Sequence, residues 1–239
     1  MPALRADRVR AVAGVLVSGH RCVLGGVWLL FAAIFALVGA IIAATDGITT
    51  SVWDFASYGP KYFLLSLGVM LSTAHLPAYV ANGVTRREFA LGGGLFIAAV
   101  ALVSAAVMAA GYLVEGLIYG AAGLPQELTT PHLYTSADQI GLVLVEFALV
   151  FLAHLVSGWL IGTAFARLGW SAIALVVPAA LPALATDLAI NSGWTPAAAA
   201  ALGWTVPRLP AGVALGLAVV LAGWVATYLV TRDMPLKTT

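Results

Sequence analysis

Three ionisable side chains lie inside apolar stretches of the sequence, where a charged group is costly. Glu146 and His154 are eight residues apart in one apolar run, and His75 precedes Pro77 by two residues in another. An ionisable group at membrane depth costs about 2.5–3.5 kcal/mol on insertion scales, so each is a functional candidate by default. Carboxylates and imidazoles in such positions can carry protons across a membrane.

The spacing limits what these groups can do together. Eight residues of helix separate Glu146 from His154 by about 12 Å along the axis and about 80° around it, so they are not expected to touch. We expect Glu146, near the outer end of its helix, to extend toward the outer surface, and His154 to be a neutral, hydrogen-bonded packing residue. His75 is expected to bond a carbonyl that Pro77 leaves free. A proton-coupled carrier using Glu146 and His154 remains open.

The densest polar stretch within the body of the chain is the segment ANGVTRREF. Gly83 permits a turn, Thr85 can cap a short helix, and Glu88 three residues later can complete a capping box. The predicted product is a small rigid turn that exposes the guanidinium groups of Arg86 and Arg87. A simple basic turn without a binding role is the alternative.

Composition indicates which solvent surrounds these groups. Of the 239 residues, 62% are hydrophobic and only 9% are charged, whereas an ordinary soluble protein carries about a quarter charged residues. Lipid must therefore be the main solvent. The net charge of +1 supplies no basic patch for nucleic acid, and the single cysteine, Cys22, excludes a disulfide within the chain.

Six apolar runs approach the length of about 20 residues that a membrane helix needs. They cover residues 22–44, 62–81, 90–114, 140–166, 170–186 and 211–231, and the fifth is short and interrupted by prolines. The runs are continuously apolar rather than alternating, which argues against an outer-membrane barrel. Residues 1–239 are therefore predicted to form one all-α transmembrane domain with six helices.

The basic residues predict the orientation of these spans. With the N-terminus inside, nine of the eleven Lys and Arg residues lie on the cytoplasmic side, and both termini are cytoplasmic. The nine are Arg5, Arg8, Arg10, Arg21, Arg86, Arg87, Arg167, Arg232 and Lys237. Only Lys61 and Arg208 are expected to face outward.

Two further segments are predicted to lie at the membrane surface. Residues 3–21 mix Arg, Asp and apolar positions, which indicates an interfacial helix before the first span. Residues 191–210 carry Pro196, Pro207 and Pro210. This outer segment before the last span fits either a re-entrant pair of half-helices or an ordinary interfacial helix, and both remain open.

Two motifs resemble those of a known family. The string NGVTRREF, followed by LGGG at the start of span three, resembles the cytoplasmic loop of ABC-2 type transporter permeases, where a G-x-T/S-R-R/K-x-F pattern recurs. Residues 158–170, GWLIGTAFARLGW, resemble the end of span four and the following turn in small bacterial permeases of that group. The six-span topology extends the resemblance over the full length. The chain departs from better-studied members because it lacks a large extracellular domain.

The resemblance implies an ABC-2 type permease fold and an exporter subunit in the bacterial cell membrane. Such permeases move hydrophobic or amphipathic substrates such as drugs, peptides or lipids, and work as homodimers or heterodimers. Their loop after span two docks as a coupling helix into a cytoplasmic ABC ATPase, two copies of which bind ATP and Mg. The positions carried over are Gly83, Thr85, Arg86, Arg87, Glu88 and Phe89.

Missing motifs point in the same direction. No G-x-x-x-x-G-K-[ST] phosphate loop occurs in the sequence, so ATP would have to be bound by a partner subunit. Neither H-E-x-x-H nor G-x-S-x-G is present, which argues against a metallo- or serine hydrolase in the membrane. We therefore expect no enzymatic activity, metal or cofactor in this chain itself.

Overall fold

The described part of the chain is helical throughout. A computed structural model describes residues 2–45, 47–190, 192, 195–201, 203 and 209–232. Its α-helices are α1 (Pro2–Thr45), α2 (Tyr58–Met70), α3 (Leu76–Ala81), α4 (Arg86–Ala122), α5 (Ile140–Leu168), α6 (Val176–Ile190), α7 (Thr195–Ala201) and α8 (Leu209–Arg232). Two 3-10 helices, Trp53–Ser57 and Gly169–Leu175, and one π-helix, Leu71–His75, connect them.

Five helical segments in the described residues are long and apolar enough to cross a membrane. One of them, Ile140–Ile190, is 51 residues long and contains both the fourth and the fifth predicted spans. Gly169 lies between these two spans with a positive φ of 62°, where the chain leaves α5 and enters the 3-10 helix. In the part that the structure describes, the chain is therefore all-helical, with five to six helices long and apolar enough to span a membrane, as in a multi-pass membrane protein.

Helix α1 differs from the prediction. The expected interfacial helix and the first span form one uninterrupted helix of 44 residues, because no proline occurs between Pro2 and Pro60 to break it. Its length of about 66 Å is roughly twice the thickness of a hydrocarbon core. Val12 and Leu16 are buried, and Val12 packs on Gly92 of α4. The first part of α1 is thus fixed against α4.

The second predicted span is helical but irregular. It contains the π-helix Leu71–His75, which ends two residues before Pro77. A proline ring clashes with the carbonyl four residues earlier and provides no N–H, so a regular α-helix cannot continue through it. The wider π turn accommodates the proline without ending the span.

Helix α5 packs closely on α2 through glycines. A side chain at Gly68, Gly158 or Gly162 would collide with backbone atoms of the facing helix. Small residues at such contacts let membrane helices approach each other closely. Ser72 and Thr163 add a hydrogen bond of 2.7 Å between their hydroxyls across the contact. This pair of helices forms the most tightly packed part of the bundle.

The bundle has two ends, which we name by their prevailing charge. The basic end contains the start of α1, the turn between α3 and α4, and the last residues of α5 and α8. Its basic residues are Arg8, Arg10, Arg86, Arg87, Arg167 and Arg232. The acidic end contains the 3-10 helix Trp53–Ser57, the loop 123–139 and the end of α6. Its acidic residues are Asp54, Glu115, Glu127, Asp138, Glu146 and Asp187.

The outer segment before the last span is partly helical. Helix α7 covers Thr195–Ala201, which is compatible with both predicted alternatives, half-helix or interfacial helix. Most of the remaining residues between 191 and 208 lie outside the described residues, and the re-entrant alternative stays a prediction. Arg208, expected to face outward, and Lys237, expected inside, also lie outside them.

Candidate functional site

The turn between α3 and α4 lies at the basic end and has the local geometry that its sequence predicts. Gly83 has a φ of +81°, a conformation that glycine adopts without strain. Thr85 caps α4: its hydroxyl accepts a 3.2 Å hydrogen bond from the N–H of Glu88. Oε2 of Glu88 accepts one of 2.9 Å from the N–H of Thr85. The predicted capping box is confirmed, and it fixes the path by which the chain enters α4.

The helix that follows the capping box is not the expected short one. Helix α4 runs without a break from Arg86 to Ala122, over 37 residues. The glycines at positions 92–94 were expected only to begin the third span, but they lie inside the same helix. The turn therefore continues directly into the third membrane-spanning helix, and no separate coupling helix precedes it.

The side chains of this turn point in different directions. Arg87 is exposed and Arg86 is half-buried. Phe89 is fully buried and packs edge to face on Tyr79 and Trp159, with ring centroids 5.3 and 6.3 Å away. Phe89 therefore anchors the turn to the bundle, and Arg87 is the charged side chain most available to another molecule.

Helix α1 braces the turn from the side. Nη1 of Arg8 lies 3.8 Å from Oε1 of Glu88. The Arg8 side chain is mostly exposed, so this ion pair contributes little to stability. Its effect is positional, because it ties the first turns of α1 to the capping box.

At the acidic end, the structure contradicts the expected exposure of Glu146. Its side chain is only 1% exposed. Oε1 lies 2.7 Å from Nδ1 of His132, and Oε2 accepts a 2.6 Å hydrogen bond from the N–H of Leu133. The loop 123–139 folds over the start of α5 and supplies these partners, so the carboxylate has no need to reach water.

His132 joins Glu146 to a second buried carboxylate. Its Nε2 lies 2.6 Å from Oδ1 of Asp54. Burial alone would lower the pKa of His132, but the hydrogen bonds to Asp54 and Glu146 outweigh burial and raise this pKa to about 9. His132 is therefore an imidazolium at neutral pH, with one carboxylate on each ring nitrogen.

The surrounding groups complete the hydrogen bonding of Asp54. Oδ2 accepts hydrogen bonds of 2.9 Å from the backbone N–H groups of Thr129 and Thr130. Oδ1 accepts a 2.8 Å bond from the Thr130 hydroxyl and a 3.3 Å bond from the Tyr112 hydroxyl. We name Asp54, His132 and Glu146 the buried carboxylate-imidazole cluster. Through these hydrogen bonds, the cluster fastens the loop 123–139 to the bundle.

Glu115 fastens the same loop at a second point. Its carboxylate accepts hydrogen bonds of 2.5 Å from the Ser51 hydroxyl, 2.8 Å from the N–H of Trp53 and 3.0 Å from the Gln126 amide. Within the residues that the structure describes, no three His, Cys, Asp or Glu side chains are arranged to hold a metal ion. The bonds of Glu115 connect Gln126 of the loop to the segment before α2 that contains Ser51 and Trp53.

His154 is placed as expected, but beside an ion pair that the sequence did not indicate. Its Nδ1 lies 2.7 Å from the Val150 carbonyl of its own helix. It lines a cavity of about 130 Å³ together with Lys61 and Asp187. Nζ of Lys61 and Oδ2 of Asp187 are 3.8 Å apart and both side chains are buried. Lys61, predicted to lie on the outer side of the membrane, is thus buried at the acidic end, and its sidedness stays a prediction.

His75 has a different partner from the one predicted. Its Nε2 lies 3.2 Å from Nε2 of His20, not against a carbonyl freed by Pro77. Nδ1 of His20 is 2.7 Å from the Leu16 carbonyl and must donate there, which leaves its Nε2 as the acceptor for His75. The π-helix accommodates the proline, so His75 is not needed for that role.

The residues that the sequence did not single out share one property. His132, Asp54, Lys61 and Asp187 lie in connecting segments or near helix ends, outside the centres of the apolar runs. The polar string TTPH at residues 129–132 marks a loop. Its bonds with Asp54, 75 to 78 residues earlier in the sequence, leave no periodic signal in a single chain.

Comparison with known proteins identifies no relative. No family model, no curated protein and no solved structure matches this chain. The case for function therefore depends on the geometry of the two ends and on the motif at the basic end.

Proposed function

We propose that this chain is the membrane-spanning permease subunit of an ATP-driven ABC-2 type exporter. The observation that supports this most is the capped turn at the basic end. It displays Arg87 beside a buried anchor, Phe89, within the string NGVTRREF that resembles the coupling loop of such permeases. In this proposal a cytoplasmic ABC ATPase docks on the turn, and its two copies bind ATP and Mg.

The continuity of α4 suits this role. A helix of 37 residues is about 55 Å long and spans the bundle from the basic end to the acidic end. Because the capping box joins the turn rigidly to α4, a push on the turn moves the whole helix. The start of α4 itself would take the place of a separate coupling helix, with Arg8 of α1 holding its position.

The other parts of the proposal follow from the same assignment. The basic end faces the cytoplasm of a bacterial cell, in accordance with the positive-inside rule. A second permease chain, identical or related, completes the pathway, because six helices make a thin wall around a sizeable molecule. The apolar interior suits a hydrophobic or amphipathic substrate such as a drug, a peptide or a lipid.

The test is reversal of the two arginine charges. Arg86→Glu combined with Arg87→Glu should abolish copurification of the ATPase encoded beside the permease gene, because two attractive contacts become repulsive. Membrane insertion should be unchanged. The matched control is Arg167→Glu, an exposed arginine at the same end, which should retain the ATPase. If the doubly reversed protein still copurifies and supports normal ATP hydrolysis, the docking role is wrong.

A second candidate function is proton-coupled transport, and one observation favours it. Lys61 and Asp187 form a buried ion pair beside His154 at a small cavity, and intramembrane charges often mark ion pathways. Glu146, the other residue considered for a relay, is occupied by His132 and Leu133. Uptake of a fluorescent amphipathic drug by inverted vesicles distinguishes the two functions. A proton carrier works without ATP, stops when the proton gradient collapses, and loses activity in Asp187→Asn.

A further inference from the structure

An apolar crevice opens at the basic end, between α1, α4, α5 and α8. Its volume is about 560 Å³, and it shares Arg87 and Glu88 with the capped start of α4. Its walls include Leu91, Leu95 and Ala98 of α4 and Leu221 and Trp224 of α8. A cavity of this size and composition suits a hydrocarbon chain.

The mouth of the crevice carries positive charge. Arg10 of α1 and Arg87 of α4 both line it and are exposed. Within the described residues, neither guanidinium has an ion pair or a hydrogen bond. Glu88 also lines the crevice, but its carboxylate is bonded to Thr85 and paired with Arg8. The mouth therefore presents two arginines without anionic partners.

The depth of the crevice matches one leaflet of a bilayer. Arg87 and Ala98 are eleven residues apart on α4, which corresponds to about 16 Å along the axis. Half of a hydrocarbon core of about 30 Å is about 15 Å. The crevice thus extends from the charged surface of the basic end to the middle of the membrane.

Trp224 closes one wall of the crevice. The indole Nε1 of Trp224 is buried and has no partner. It faces Gly94, another lining residue, where an added Cβ would lie 2.6 Å from it. The indole therefore packs directly on α4 and has no room there for a ligand atom.

We propose that this crevice binds an anionic membrane phospholipid. Its phosphate lies on Arg10 and Arg87, and one acyl chain fills the apolar depth. Arginine suits this role because its planar guanidinium matches phosphate geometry. A symmetric contact of two copies through this crevice would bring Arg10 and Arg87 of both copies together, which disfavours that occupant of the crevice. The site does not depend on the docking of an ATPase.

The test measures lipid binding to the purified, delipidated full chain by native mass spectrometry. Phosphatidylglycerol should bind more tightly than phosphatidylcholine. The double variant Arg10→Gln with Arg87→Gln should lower phosphatidylglycerol affinity about 30-fold, because each basic side chain near an anionic headgroup contributes roughly fivefold. Inorganic phosphate should not compete, since it has no acyl chain to fill the crevice.

The second part of the test uses a variant in which a large side chain fills the crevice. Ala98→Phe should abolish binding of phosphatidylglycerol, whereas Ala99→Phe, at the same depth but on the exposed side of α4, should leave it unchanged. Equal affinities in these two variants would overturn the proposal, as would equal binding of the two lipids to the unmodified chain. Loss of a dimer in Ala98→Phe with lipid binding intact would assign the crevice to a second copy. If the Ala98→Phe protein still copurifies with the ATPase, its loss of lipid binding is independent of ATPase docking.

Discussion

The two ends of the bundle treat their charged residues in opposite ways. At the acidic end, His132 is buried between Asp54 and Glu146, and each of these three groups has its partner within the chain. At the basic end, Arg10 and Arg87 are exposed and have no ionic partner among the described residues. The acidic end uses charge to hold its own loop. The basic end keeps charge available for another molecule.

The largest expected effect comes from removing the imidazolium of the acidic end. His132→Ala leaves two buried carboxylates close together without their cation. Breaking a buried ionic network in this way costs about 3–5 kcal/mol. Thermal unfolding in detergent should show a large loss of stability relative to Asp138→Ala, an exposed change in the same loop. Equal midpoints of thermal unfolding for His132→Ala and Asp138→Ala would mean that the cluster does not stabilise the fold.

A smaller effect is expected from pH. The pKa of His132 is raised from 6.5 to about 9 in the folded protein, so the folded state binds the proton more tightly than the unfolded state. The resulting stability is fully present below about pH 6.5 and is lost as the pH rises through about 9. The midpoint of thermal unfolding should fall as the pH is raised from 6.5 to 9.5. In His132→Gln this part of the decline should be absent, and its persistence there would rule out His132 as the cause.

The smallest effect on stability is expected at the basic end. Arg87→Glu changes an exposed side chain that has no ionic partner in the described part of the chain, so the free energy of unfolding should change by no more than about 0.5 kcal/mol. The same unfolding assay, run beside the His132 variants, checks this. A loss comparable to that of His132→Ala would show that Arg87 supports the fold and would remove the contrast between the two ends.

The sequence predicted the features that depend on neighbouring residues. Continuous apolar runs are sufficient to identify membrane helices, since lipid requires the backbone to satisfy its own hydrogen bonds. The capping box was predictable because Thr85 and Glu88 are three residues apart. The continuity of α1 was missed because its charged first turns differ in composition from the span, although nothing in the sequence interrupts the helix.

The features that depend on distant residues were not predictable from one sequence. Glu146 was expected at the surface because its depth was judged from its own helix alone. Its burial results from a loop that brings His132 to it and to Asp54, which is 78 residues from His132. The pairing of Lys61 with Asp187, and of His75 with His20, has the same origin. Folding brings these groups together, and their spacing along the sequence gives no indication that they pair.

The central claim is that the capped turn at the basic end is the docking site of an ATPase. Photocrosslinking in intact cells tests this most directly. In one variant a photoreactive amino acid replaces Arg87, and in the control variant it replaces Asp138. We predict that the photoreactive residue at position 87 crosslinks to a protein with a phosphate-binding loop of the ATPase type and that the one at position 138 does not. Capture of no such protein at position 87, or equal capture at both positions, would contradict it.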